Sequence, residues 1–193
     1  MCNPDCIRFG REQLLPEDIE GKKVLEVGSR DVNGSLRGDV MKHNPLSYWG
    51  VDLVEGKGVD EICNVYDLVK RFGSESFDVV ICTEMLEHVQ YWQHAILNLK
   101  QVLKPGGVLI MTTRSLGCPY HDYPGDYWRY EIEDLYEIFR DLNIVKTEKD
   151  PDMPGVFMKA YKPQRFDIRH LDDYKLHSMI TGERTKEGDV KYV

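Results

Sequence analysis

The stretch that decides the fold is Lys22 to Arg37, KKVLEVGSRDVNGSLR. A short apolar run, Val24-Leu25-Glu26-Val27, is framed by Gly21 and Gly28. The chain then turns through Ser29-Arg30-Asp31-Val32-Asn33-Gly34 and resumes as a helix from Ser35. Strand, glycine-bounded turn and helix together open a nucleotide-binding α/β unit. Gly28 lets the backbone pass close to a ligand, and Gly34 relieves crowding where the helix begins. Glu26 is the unusual residue. A carboxylate near the carboxyl end of a first strand is expected in a crevice, where it would repel a pyrophosphate and suit a positive amine or sulfonium. The glycines match neither G-x-G-x-x-G nor G-x-x-x-x-G-K-[ST]. Taken alone they are equally compatible with a plain structural turn.

Downstream, the apolar pattern repeats this unit. Residues 48–52, YWGVD, read as a second strand ending in Asp52, about 20 residues beyond the glycine turn, where an acid can accept both ribose hydroxyls. A strand-end turn former is the plainer reading. Residues 59–63 read as a short third strand. Asn64 and Val65 then fall at the same edge of the sheet, where an amide can meet an adenine amino group and Val65 can pack on the ring. Equally, Asn64 can cap a helix over 65–72. Residues 77–82, FDVVIC, form a continuous apolar run of the kind buried on both faces of a sheet. Thr83-Glu84-Met85-Leu86-Glu87-His88-Val89 follows at its carboxyl end. Residues 91–103 carry Trp92, Ala95, Ile96, Leu99, Val102 and Leu103 at helical spacing. Lys104-Pro105-Gly106-Gly107 stops that helix, and 108–112 is the next buried strand. Alternation of this kind forces a mostly parallel sheet with right-handed crossovers. A helix over 131–140 and a closing strand pair, 143–147 and 156–161, complete the pattern.

Composition bounds the function. At 193 residues the chain has the length of one domain. Its net charge of −8 argues against a broad nucleic-acid surface. No apolar run approaches the roughly 20 residues of a membrane helix, and the N-terminus lacks an apolar secretory core, so the expectation is a cytoplasmic protein. The five cysteines are irregularly spaced, as for thiols in a reducing compartment. Cys2 and Cys6 could be half of a metal site, but no second close pair exists.

Four blocks of this chain, VLEVGSRDVNGS, YWGVDL, FDVVICTEMLEHV and LKPGGVLIMTT, resemble the class I S-adenosylmethionine-dependent methyltransferases of small, single-domain, type 11-like form. A fifth block, HDYPGDYWRYEIEDL, is similar to a loop and helix found in one branch of those enzymes. The resemblance implies a Rossmann-like three-layer α/β sandwich with a seven-stranded, mostly parallel sheet whose last strand is antiparallel. It covers residues 21–162 as a methyltransferase domain; outside it, the residues themselves read as an N-terminal segment, 1–20, able to act as a lid, and a polar tail, 163–193. It implies S-adenosyl-L-methionine as cofactor. Glu26 and Gly28 would face its methionine amino end, with Ser29 and Gly34 lining the turn. Asp52 would hold the ribose, Leu53, Asn64 and Val65 would meet the adenine, and Thr83 would sit near the methionine. The first turn departs from the family in having fewer glycines, and no Asn-Pro-Pro-Tyr segment follows the fourth strand.

A sulfonium methyl is already electrophilic, so the protein must mainly align an acceptor and exclude water. A hydroxyl acceptor benefits from a base. His121, in the aromatic loop 115–130, is the first candidate for base or substrate contact. His88 is the second, with a structural cap as its plainer reading. Arg129 and Asp126 could bind a polar or anionic substrate, unless Tyr127-Trp128-Arg129-Tyr130 is simply a packed hinge. His121, Asp122 and Asp126 form no established ligand spacing, and no metal site is read from the sequence. The expected partner is a small-molecule acceptor, a sugar or secondary metabolite methylated on oxygen, and a homodimer is compatible with the composition. The competing readings are a non-catalytic module that binds the cofactor or a protein partner, and a nicotinamide oxidoreductase, which Glu26 and the missing glycines disfavour.

Overall fold

The computed structural model describes residues 3–121 and 125–192. Cys2 and Asp122, named above for metal binding, lie outside them. The chain begins with helix α1 (Pro4–Gln13), capped where the Asn3 side chain accepts from the Cys6 N–H at 2.9 Å. Pro4 occupies the first helical turn, where a missing N–H costs nothing. After a short α2 (Pro16–Ile19) comes β1 (Lys23–Val27), then α3 (Arg37–Met41), β2 (Ser47–Asp52) and β3 (Glu61–Ile62). A 3-10 turn at Val65–Asp67 leads into α4 (Leu68–Phe72), β4 (Phe77–Thr83) and α5 (Trp92–Val102). Strand β5 (Leu103–Arg114) is followed by β6 (Trp128–Arg129), α6 (Ile132–Ile138), β7 (Asn143–Lys149) and β8 (Gly155–Tyr161). Two more strands, β9 (Lys175–Ser178) and β10 (Arg184–Lys186), end the order.

Seven strands form one sheet in the order β3-β2-β1-β4-β5-β8-β7. Pairings from β3 through β5 are parallel, whereas β8 runs antiparallel to both β5 and β7. This is the expected seven-stranded α/β sheet with its last strand reversed. The strand order turns back between β1 and β4. Parallel crossovers leave a crevice beyond the carboxyl ends of strands at such a reversal, and a ligand can enter there.

Each face of the sheet buries its own core. Leu25, Val80, Leu109 and Met158 pack against Trp92 and Leu99 of α5 on one side. Val24, Val79, Ile81, Val108 and Ile110 pack with Phe9 of α1 on the other. The Phe9 and Phe157 rings lie 5.3 Å apart. Helix α1 therefore covers a sheet face, with Ile7 set beside the turn at Gly34.

The segment expected to be a polar tail is folded. Strands β9 and β10 join β6 in a second, three-stranded sheet. Leu171, Leu176 and Val190 enter the main core, and Tyr174 packs edge-on against Trp92 at 6.3 Å. Few apolar residues spread over some thirty positions give no period to read, yet Leu176 is wholly buried. No helix among the described residues is long and apolar enough to cross a membrane.

Candidate active site

A cleft of about 270 Å³ opens at the reversal point. Its floor is Val27 and Gly28 at the end of β1, its sides are Asp52 and Leu53 at the end of β2 and Asn64 and Val65 beyond β3, and Thr83 closes it at the end of β4. Tyr66, Glu84, Met85, His88 and His121 complete the far wall.

The turn after β1 is built by backbone hydrogen bonds. The N–H groups of Gly28 and Ser29 both donate to the Val51 carbonyl, at 2.9 and 3.1 Å. Gly28 has φ +78°, and a Cβ there would stand 2.9 Å from Met85 Cγ. Only glycine gives both that backbone angle and that clearance. The Asp31 carboxylate accepts from the Gly34 N–H at 3.0 Å and from Lys57, so a side chain closes the turn where more glycines were expected.

Asp52 reaches the cleft from the end of β2. Its Oδ2 accepts from the Arg30 N–H at 3.1 Å and its Oδ1 from Val54 N–H at 3.3 Å, which fixes the carboxylate at the rim. Leu53 and Val54 beside it are half exposed, an apolar lip suited to one face of a flat ring. Asn64 does cap the following turn, its Oδ1 accepting from the Tyr66 N–H at 3.0 Å, and it also lines the cleft. These groups fit an adenosyl cofactor. A carboxylate stands where ribose hydroxyls would donate, apolar side chains flank a ring-sized gap, and Gly28 presents no Cβ to the cleft floor.

Four expectations need correction. Glu26 does not line the cleft. It is 3% exposed, alternates with Val27, which lines the cleft, and accepts the Tyr48 hydroxyl at 2.7 Å. Burial pushes its pKa up to about 7, although Tyr48 and Arg37 pull the other way. Ser29 is also buried, packed against the backbone of β2 where Gly50 leaves room for its hydroxyl. Gly34 lies against Ile7, not in the cleft. Arg129 is 1% exposed and clamped by the Asp126 carboxylate, with Nη2 to Oδ2 at 2.6 Å. Its Nη1 also donates to the Trp128 carbonyl and its Nη2 to the carbonyls of Cys118 and Pro119. It anchors the aromatic loop, which was the plainer of the two readings.

His88 and His121 are brought together, their rings 4.8 Å apart and nearly perpendicular. His88 Nδ1 is tied to the Gly125 carbonyl. His121 Nδ1 lies 3.1 Å from the Pro119 carbonyl and 3.2 Å from the Asp126 carboxylate, and its backbone N–H donates to Asp126 Oδ2 at 2.9 Å. In both rings Nδ1 thus faces an acceptor, and in the neutral tautomer that suits this geometry the lone pair is on Nε2.

Sequence reasoning passed over Glu84 and Glu87. Both are buried, with Glu84 in the cleft wall and Glu87 beneath it. Glu84 pairs with Arg114, which also holds Asp150 at 3.2 Å. Burial first, and then the charge of Glu87, push the Glu84 pKa up to about 7. Glu84 also has φ +52°, an uncommon angle for a residue with a Cβ. Spacing gave no signal here, because Glu84 lies outside the 3-10 turn Leu86–His88.

The model of the methyltransferase domain family matches residues 5–144. A ubiquinone biosynthesis O-methyltransferase of Idiomarina loihiensis is 32% identical over 120 residues, 55% of this chain and 48% of that protein. The chain thus spans about half the length of the curated relatives it matches. Among solved structures, a Burkholderia thailandensis 1,6-didemethyltoxoflavin-N1-methyltransferase, crystallised with its substrate and S-adenosylhomocysteine, superposes with a TM-score of 0.65 at 16% identity, over 82% of this chain and 78% of that one. The [4+2]-cyclase SpnF superposes at 0.61 with 18% identity, over 81% of each. At such identities the likeness is one of fold. With the family model covering well over half its length and the cleft shaped for the family's cofactor, the chain belongs to the class I S-adenosylmethionine-dependent methyltransferases.

Proposed function

We propose that this chain transfers the methyl group of S-adenosylmethionine to a hydroxyl of a small-molecule acceptor. The observation that carries the reading is that His88 and His121, each with Nδ1 tied to an oxygen, line the same cleft as Asp52 and Gly28. The bound cofactor supplies an electrophilic methyl on a positive sulfur. The chain's part is to hold the ribose at Asp52, to flank the ring with Leu53 and Val65, and to seat the acceptor against the His88 and His121 end. Nε2 lone pairs there suit a hydroxyl, whose hydrogen they can accept. As the methyl passes to the acceptor oxygen, the sulfonium becomes a neutral thioether and the hydroxyl proton must leave.

The Idiomarina relative's name, an O-methyltransferase of ubiquinone biosynthesis, favours oxygen over nitrogen as acceptor. A sugar or a secondary metabolite satisfies the same chemistry. The test is incubation with S-adenosylmethionine and a panel of phenols, sugars and amines, with products read by mass spectrometry. An O-methylated product, lost or slowed at least tenfold in His121→Ala, is expected. Products on amines alone would overturn the oxygen assignment. Binding of the cofactor without turnover on any acceptor would favour the non-catalytic reading.

A further inference from the structure

We propose that Glu87, His88 and His121 form a site for one divalent first-row cation, of the Zn²⁺ or Mn²⁺ class, at the acceptor end of the cleft. Each offers one ligand atom, and these atoms all lie within 4.8 Å of one another. Tetrahedral ligands about such an ion sit roughly 3.4 Å apart, so closure by at most about 1.4 Å completes the site. His121 can supply that movement, its side chain being one-third exposed.

Three independent features point the donors inward. Glu87 is fully buried, and its Oε2 accepts from the Thr113 hydroxyl at 2.9 Å, whereas its Oε1 has no hydrogen-bond partner. A buried carboxylate oxygen without a partner is costly unless a cation or a proton meets it. That same Oε1 lies 3.8 Å from His88 Nε2. Finally, both imidazoles direct Nδ1 to protein oxygens, Gly125 for His88 and Pro119 with Asp126 for His121. An oxygen on the far nitrogen is how metal-binding histidines are held in the ligating tautomer. Two imidazoles and one carboxylate, with the cleft as the open side, suit zinc or manganese better than calcium.

This assignment deepens the oxygen-acceptor reading and rests on it for its role. With an ion in place the imidazoles would reach the acceptor through the metal. A hydroxyl bound there is acidified, and its proton leaves to water before or as the methyl arrives. The site itself is tested without turnover. Chelator-stripped protein is titrated with Zn²⁺ and with Mn²⁺ by calorimetry, and S-adenosylhomocysteine is titrated into the same sample. One ion per chain is expected, with affinity at least tenfold weaker in His121→Ala and unchanged in His170→Ala, which alters an exposed histidine elsewhere. Thermal melting checks that both variants fold. Wild type that binds the nucleoside but neither ion, or binds an ion equally well in His121→Ala, overturns the metal site and leaves the transferase reading standing. Failure to bind the nucleoside strikes the transferase reading instead.

Discussion

The Tyr48 hydroxyl donates to Glu26 Oε2 at 2.7 Å, on the sheet face that carries Val24 and not in the cleft. The acid that appeared in the sequence to await a cationic ligand is thus held by a phenol inside the protein. Its pKa lies at about 7 because burial disfavours the charge. Unfolding returns it to the ordinary carboxylate range. Between roughly pH 4.5 and 7 the unfolded chain has therefore lost a proton that the folded chain keeps, and stability falls as pH rises through that window. The stabilisation is complete below the unfolded value and gone above the folded one, a change on the order of 3 kcal/mol at most. Glu26→Gln should reduce the slope of this part of the profile, to which Glu84 also contributes, measured by urea denaturation at about pH 5 and about pH 8. An unchanged slope in the variant would show that Glu26 is ionised in the folded protein.

Leu176→Ala tests whether the last thirty residues belong to the domain. Leu176 is fully buried among the core residues that include Trp92 and Trp128. Removing its side chain should cost about 2–5 kcal/mol, as for other buried leucines. A loss below about 0.5 kcal/mol, the range of surface substitutions, would mean that this segment is not packed in solution.

The contrast between these two residues shows what the sequence made legible. Strands β4 and β5 announced themselves as continuous apolar runs, because burial on both faces leaves no polar alternation. Asp52, Asn64 and Thr83 line the cleft because strand ends in a parallel sheet share one edge, so position along the chain translates into position at the cleft. Glu26 was misplaced because a strand's two faces differ by one residue, and the sequence does not say which face opens to a ligand. The C-terminal strands were missed because β9 and β10 are short and the sheet they form is completed by β6, which pairs with β9 from more than forty positions away. Arg129 looked like a substrate ligand because its partner, Asp126, gives no clue from spacing alone that both are buried.

Gly28→Ala should disturb the cofactor end selectively. The substitution forces a Cβ onto a backbone at φ +78° and within 2.9 Å of Met85 Cγ. The backbone strain alone costs roughly 1–2 kcal/mol. Affinity for S-adenosylhomocysteine is expected to fall about tenfold or more, since each 1.4 kcal/mol of misfit at the cradle is a factor of ten. A variant that binds as tightly as wild type would show that the ligand does not approach this turn.

The central claim is that the cleft between Gly28 and Thr83 holds an adenosyl cofactor with Asp52 on its ribose. It is tested most directly by calorimetric titration of folded protein with S-adenosylhomocysteine, wild type beside Asp52→Ala. Loss of hydrogen bonds to a charged group is worth about 1.5–3 kcal/mol, so the account predicts saturable one-to-one binding that weakens roughly 10- to 150-fold in the variant. Wild type that is folded and does not bind, or a variant that binds equally well, would contradict it.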